Sequence, residues 1–501
     1  MLPPSTMALV APESRVPYPR RIFCNRNLRL DRIRHVGFDM DYTLAIYEET
    51  MEHLQAEMVL ERLAERYGYP AAVLGVKYQP GFAIRGLAVD TAHGNVFKMD
   101  SHRFVGRVWH GAGPLDRESR KRIYTNRKLS PADPSIVMVD TIFSLPEISL
   151  YCQLVDLLEH GGEPRAHAPH ANGAGDGMHV IAHADGSAPH VAQIHTDGRH
   201  VSYERLWREL REAMDELHRD GTLKARILAD VPRYIQRDPN LAETLHRFRS
   251  SGKRLFLLTN SEPHYTEAVM RHLLHGEHHA YPTWNDYFDL AITSARKPMF
   301  FASEEPFREV KEDGTIGHEP VTALRRGVLY TGGNFQELSR LAGLIGDDVL
   351  YVGDHIYGDI LRSKRSTSWR TAMVIPEMER ELELTIKMAT EIRELERLEE
   401  MAFQLELDRN ALALDKIRNV ELNAQLKELN VRAQALETTI ANDFNPAWGQ
   451  IFRDRAELSA FGAQVEDYAC VYTSRVTNFR SYSPSFYFRS PRDRMAHEIA
   501  R

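Results

Sequence analysis

Short apolar runs recur along this chain, and they limit its fold more than any other feature. They are His35-Val36-Gly37-Phe38, Arg254-Leu255-Phe256-Leu257-Leu258, Leu290-Ala291-Ile292, Val349-Leu350-Tyr351-Val352 and Thr371-Ala372-Met373-Val374-Ile375. A strand that is apolar at consecutive positions must bury both faces, and only a parallel sheet covered by helices on both sides does that. Helical patterns separate the runs, the first from about Met51 to Tyr67. Strands alternating with helices predict an α/β fold with a doubly wound core.

Beyond Pro376 the character changes. No glycine or proline occurs before Pro446, and the segment is dense in Leu, Glu, Arg and Ala. Such a stretch predicts long helix, and an antiparallel hairpin is expected over a single rod, with its turn near Asp408-Arg409-Asn410. Its apolar stripe needs a surface, either the other arm or a partner subunit. The tail from Phe479 to Arg489 is aromatic and basic, so it too is expected to pack on the core or on a second subunit. Between about His160 and His200 lies a segment rich in Gly, Ala and His without hydrophobic periodicity. The irregular histidine spacing favours a solvated loop over a metal site.

Composition removes several function classes. The 501 residues are 43% hydrophobic and 27% charged, enough for a large core in two to four domains. A formal charge of -7 gives no reason to expect nucleic acid or an anionic membrane as partner. Cys24, Cys152 and Cys470 are far apart with no CxxC, which fits a reducing cytosol and excludes a cysteine zinc site. No apolar run is long enough to span a bilayer, and the proline-rich first 20 residues read as a flexible tail rather than a secretory signal.

The candidate chemistry sits after the strands, where α/β folds place ligands. Asp39 and Asp41 follow the first run in Asp39-Met40-Asp41-Tyr42-Thr43. One carboxylate there can attack a phosphoryl group, and the other can protonate the leaving oxygen and then activate water. Thr259-Asn260-Ser261 follows the second run, and its hydroxyls and backbone N–H groups can hold phosphate oxygens. Lys297, in Ala295-Arg296-Lys297-Pro298, can neutralise the nucleophile and the transferring group. Asp354 and Asp359, in Gly353-Asp354-His355-Ile356-Tyr357-Gly358-Asp359, suit magnesium, a hard cation with oxygen ligands. Taken singly, each motif is also compatible with turn or cap chemistry.

In this order the four motifs resemble the haloacid dehalogenase (HAD) superfamily of phosphohydrolases. The resemblance implies Asp39 as nucleophile, Asp41 as acid and base, Thr259 and Lys297 as phosphate holders, and Mg2+ among Asp39, Asp41, Asp354 and Asp359. Longer phrases sharpen it: GFDMDYTL (Gly37 to Leu44), RGLAVDTAHGN (Arg85 to Asn95), TIFSLPE (Thr141 to Glu147), ARKPMFF (Ala295 to Phe301), YTGG (Tyr330 to Gly333) and GDHIYGDI (Gly353 to Ile360). The series is similar to the cytosolic purine 5'-nucleotidases of the IMP/GMP-preferring type, from about Arg21 to Ile375.

That likeness implies a HAD-like Rossmannoid core (21–50 and 220–376) and a cap domain (51–219) carrying the 160–200 insert. A helical hairpin (377–445) and a C-terminal segment (446–501) would follow. Phe143 would stack on the purine, and Arg211, Asp215, His218, Lys224, Asn260 and Ser261 would contact the nucleotide. The spacing of Arg211, Asp215 and His218 puts them on one face of a helix, which without the family also reads as a solvated charged face. Ser144, Arg219 and Asp140 depart from the family pattern, so no strict base preference or nucleotide activation is implied.

The expected activity is hydrolysis of purine nucleoside 5'-monophosphates through an aspartyl phosphate, with phosphotransfer to a nucleoside acceptor as a second outcome. A cytoplasmic homodimer or homotetramer is implied, with no nucleic-acid or membrane partner. The rival readings are a HAD phosphatase of another small metabolite, and a scaffold protein acting through its hairpin.

Overall fold

A computed structural model describes residues 16–125, 129, 133–159, 194–196, 199–344, 346–355, 367–411, 416–454 and 457–493. Residues 160–193, with the histidines from His160 to His190, and Asp359 therefore lie outside the described residues; His195 and His200 are register partners in a short antiparallel pair, 194–196 with 199–201.

A nine-stranded sheet forms the centre. In chain order its strands are β1 (Phe23–Cys24), β2 (His35–Phe38), β3 (Arg254–Leu258), β4 (Leu290–Thr293), β5 (Phe307–Val310), β6 (Leu329–Gly332), β7 (Val349–Gly353), β8 (Arg370–Val374) and β9 (Val471–Thr473). Their spatial order is β1-β9-β8-β7-β2-β3-β4-β6-β5. Every pair from β9 across to β6 is parallel, and only the edge strands β1 and β5 run antiparallel. Leu255 to Leu258 of β3 and Val349 to Val352 of β7 are buried at every position, as consecutive apolar residues covered on both faces must be. This is the doubly wound α/β core.

The segment inserted between β2 and β3, expected from the sequence to form a cap, contains a five-stranded antiparallel sheet built from residues 87–139. Its longer helices are α1 (Glu49–Arg66), α2 (Leu145–Glu159) and α3 (Tyr203–Arg219). The crossing points pair with each other: Ile46–Tyr47 lies antiparallel to Ile235–Gln236. The helix α4 (Thr222–Ala229) sits just before that neck, and α5 (Pro263–Leu274) follows β3. One continuous apolar cluster joins core residues such as Val36 and Leu257 to Leu87, Ile148 and Leu206 of the cap segment.

After β8 the chain enters α6 (Met378–Lys387), α7 (Ala389–Ala411) and α8 (Lys416–Phe444). The last two pair as a hairpin rooted in a small cluster of Met388, Ile440 and Phe444. Helix α7 runs through Asp408-Arg409-Asn410 to Ala411, so the chain is still helical where the turn was expected; residues 412–415, before α8, lie outside the described residues. Leu, Glu and Arg on both sides of 408–410 leave nothing to stop the helix there. The C-terminal segment then supplies β9 to the central sheet. The aromatic tail packs on its own chain: Phe479 meets Phe248 of the core, and Phe488 meets Phe479 and Tyr482. Among the described residues no helix is long and apolar enough to cross a membrane.

Candidate active site

The ends of β2, β3, β4 and β7 converge on one edge of the sheet. Asp39 follows β2, and its N–H donates to the carbonyl of Val352 on β7 at 2.9 Å. Its Oδ1 accepts from the Met40 N–H at 2.8 Å and lies 2.9 Å from Lys297 Nζ. Lys297 is itself buried and also meets the Tyr351 hydroxyl at 2.9 Å. Asn260 holds the lysine's backbone from both sides, accepting from its N–H at 2.6 Å and donating to its carbonyl at 3.0 Å. A compact cation thus sits on the nucleophile candidate, the two side chains coming from the ends of β2 and β4, which flank β3.

The loop after Asp39 is tight. The Met40 carbonyl accepts from the N–H groups of Thr43, Leu44 and Ala45. Tyr42 adopts a left-handed backbone at φ 52°, as do Ser294 (46°) and Arg296 (57°) beside Lys297. Non-glycine residues hold this conformation at a cost, which surrounding structure must offset, and such strain concentrates at functional sites.

Asp41 is half-buried and faces hydroxyls. Its Oδ1 accepts from Tyr47 at 2.6 Å and its Oδ2 from Ser261 at 2.8 Å. Behind Tyr47 stands the Tyr265 hydroxyl of α5 at 2.8 Å. Burial pushes the Asp41 carboxyl above the ordinary range, while Tyr47, Ser261, Lys224 and Lys297 pull the other way. A carboxyl held toward its neutral form suits proton donation to a leaving group. Thr259 is fully buried and its hydroxyl accepts from the Ser261 N–H at 3.1 Å, fixing the turn after β3.

Phe143 sits beside this loop. Its ring meets Tyr42 edge-on at 4.6 Å between centroids, His218 at 5.7 Å and Tyr47 at 6.1 Å. Arg211 and His218 are half-buried on α3, and Asp215 is exposed on the same helix. Arg211 Nε lies 3.4 Å from Glu147 of α2, whose carboxyl burial pushes up to about 7. Gln55 of α1 brings its amide nitrogen to His218 Nε2 at 3.0 Å. With that nitrogen accepting, the ring proton sits on Nδ1. Burial first, and Lys224 second, lower the His218 pKa to about 4, so the imidazole is neutral near pH 7. Lys224 of α4 forms an ion pair with Glu262 and lies over the Tyr265 ring.

The structure therefore brings Asp39, Asp41, Thr259, Asn260, Ser261 and Lys297 together. Phe143, His218 and Lys224 surround the same loop through their contacts with Tyr42, Tyr47 and Tyr265. Asp354 follows β7, the strand next to β2. Asp39 and Asp354 thus stand at neighbouring strand ends and offer only oxygen donors. Magnesium is held by one or two carboxylates plus water and substrate phosphate, so this donor set fits it. Among the described residues no group of three or more His, Cys, Asp or Glu forms a ready-made metal cage.

Sequence reasoning passed over Tyr47, Gln55, Glu147, Tyr265 and Glu262. Gln55 had a signal: it interrupts the buried stripe of α1 formed by Met51, Leu54 and Val59. A buried polar residue needs a partner, and here that partner is His218. Tyr265 and Glu262 follow the Thr259-Asn260-Ser261 turn, but their sequence distance from Tyr47 and Lys224 concealed the contacts.

The 5' nucleotidase family model matches residues 22–500. Among curated relatives, "5'-nucleotidase domain-containing protein DDB_G0275467" of Dictyostelium discoideum is 29% identical, covering 96% of this chain and 75% of its own length. The "5'-nucleotidase domain-containing protein 2" of Rattus norvegicus is 28% identical over 99% of this chain and 82% of its own. The Homo sapiens protein of the same name is 27% identical over 99% and 87%. With a match that spans nearly its whole length, this chain belongs to the 5' nucleotidase family.

Proposed function

We propose that this protein hydrolyses purine nucleoside 5'-monophosphates, IMP and GMP first, through an aspartyl phosphate on Asp39. Family membership supports nucleotide hydrolysis in general. The observation that carries the finer reading is the pairing of Asp39 with Lys297 at 2.9 Å, one loop away from an aromatic wall at Phe143.

In the first half-reaction an Asp39 oxygen attacks phosphorus, and the bond to the nucleoside 5' oxygen breaks. The Asp41 proton goes to that oxygen. In the second, Asp41 takes a proton from water as the water oxygen attacks phosphorus, and Asp39 leaves as a carboxylate. Lys297 offsets negative charge on Asp39 and on the phosphoryl oxygens. The Ser261 and Thr259 turn supplies hydroxyl and N–H donors to those oxygens. Magnesium, held by Asp39, Asp354 and Asp359 with Asp41 in the same loop, would screen the phosphate from its attacker. A nucleoside in place of water gives phosphotransfer.

Phe143 supplies the stacking face for the base, and Arg211, Asp215 and His218 supply a mixed donor and acceptor edge. A neutral His218 with its proton on Nδ1 can donate to a purine carbonyl or ring nitrogen without adding charge. The assembly that goes with this reading is a cytosolic homodimer or homotetramer. A second reading, a scaffold role for the hairpin, has one supporting observation: Met401, Phe403, Leu407, Val420 and Val431 are exposed on α7 and α8. Phosphate release across a nucleotide panel separates the two. Activity lost in Asp39→Asn supports the enzyme; no release from any nucleotide by either protein supports the scaffold.

A further inference from the structure

The phrase Arg85 to Asn95 has no role in the reaction as described, yet its first residue reaches Asp354, in the loop that the magnesium reading uses. Arg85 belongs to the cap segment and its side chain is fully buried. Nη1 donates to the backbone carbonyl of Asp354 at 2.8 Å. Nε and Nη2 donate to the two carboxylate oxygens of Glu377, each at 2.7 Å. Phe461 of the C-terminal segment covers the guanidinium at 5.0 Å. The fork spans two neighbouring strand ends, since Asp354 follows β7, Glu377 follows β8, and these strands are paired.

The placement is demanding. Gly86, next to Arg85, holds φ +86°, and a Cβ there would stand 2.5 Å from the Phe461 Cβ. Its N–H donates to the Val139 carbonyl at 2.9 Å, which anchors the turn in the cap sheet. A buried guanidinium is costly unless every arm is satisfied, and here three nitrogens each have an acceptor. Lysine could not reproduce the arrangement, because its single ammonium cannot bind a carboxylate in parallel and a carbonyl at once. The grip on Asp354 is on the carbonyl rather than on the carboxyl group, so it fixes the residue's backbone while leaving side-chain chemistry to the site.

We propose that Arg85 is a positioning residue for the metal loop: braced by Glu377, it sets the backbone of Asp354 and so the direction of the carboxylate toward magnesium. This rests on the magnesium reading of the site. It also ties the cap segment and the root of the helical hairpin to the reaction centre through one side chain. Partners behind a metal ligand commonly govern affinity by about 10- to 100-fold.

The test is Mn2+ titration of the full chain, with free Mn2+ counted by electron paramagnetic resonance, for the wild type and Arg85→Lys. The expected result is at least about tenfold weaker Mn2+ binding in Arg85→Lys, with an unchanged circular dichroism spectrum. Raising Mg2+ should restore its phosphatase activity, a rescue that general loosening of the fold does not give. If Arg85→Lys does not fold, Glu377→Asp keeps both charges and shortens one arm; it should weaken Mn2+ binding in the same direction. A folded variant with wild-type Mn2+ affinity overturns the inference alone. A wild-type chain that binds no Mn2+ overturns the magnesium reading, and this inference with it. Mn2+ binding without nucleotide hydrolysis overturns only the proposed reaction.

Discussion

Replacing Glu147 by Gln should stabilise the protein at high pH and do little at low pH. Glu147 is 3% exposed, and burial raises its carboxyl from 4.5 to about 7 despite the nearby Arg211. The folded state therefore prefers the protonated form. Its contribution to stability is fully present below about pH 4.5 and is lost as pH rises through about 7. The shift corresponds to about 3 kcal/mol at 1.36 kcal/mol per unit. Glutamine is neutral at every pH and avoids that penalty, while half-exposed Arg211 can turn to water. Urea midpoints for both proteins, measured from pH 5 to pH 8.5, should diverge with rising pH in favour of Glu147→Gln. A constant offset, or a gap that widens on acidification, would refute a neutral buried Glu147. The same substitution removes the charge that pairs with Arg211, a proposed nucleotide contact, so weaker nucleotide binding is expected alongside the added stability.

Three further outcomes follow from the same geometry. Lys297→Met should leave a folded protein whose kcat is at least about 100-fold lower, since a charge-stabilising group at the nucleophile is lost; near-normal turnover would contradict the pairing with Asp39. The His218 ring, followed by nitrogen NMR, should stay neutral down to about pH 4. Because the unfolded ring takes up a proton near 6.5, His218 should cost stability as pH falls below that value; titration at the ordinary value would remove the neutral donor from the site. Gly86→Ala should lower stability by about 3 kcal/mol, from left-handed backbone plus overlap with Phe461, and a silent substitution would contradict the tight turn behind Arg85.

The parallel strands were legible because each is buried on both faces, so apolar residues run consecutively in β2, β3, β7 and β8. The catalytic candidates were legible for a related reason: they stand where those runs stop. The strand β9 was not, since three residues nearly a hundred positions after β8 carry no pattern of their own. Contacts made across the fold were hidden as well. Nothing local to Tyr47 announces that its hydroxyl meets Asp41 on one side and Tyr265 on the other. Lys224, which the family likeness implies as a nucleotide contact, has its ammonium engaged by Glu262, and substrate must compete for it. No turn forms at Asp408-Arg409-Asn410 because helix propensity there is modest but not prohibitive, and pairing with α8 carries the helix on.

The most direct test is phosphate release from a panel of nucleoside 5'-monophosphates and ribose 5-phosphate with Mg2+, run in parallel on the wild type, Asp39→Asn and Phe143→Ala. The account predicts release from IMP and GMP by the wild type and none by Asp39→Asn. Phe143→Ala should lose the nucleotides' advantage over ribose 5-phosphate while still acting on the latter. Release from IMP by Asp39→Asn at the wild-type rate would contradict the assignment of Asp39 as nucleophile and, with it, the reaction proposed for this site.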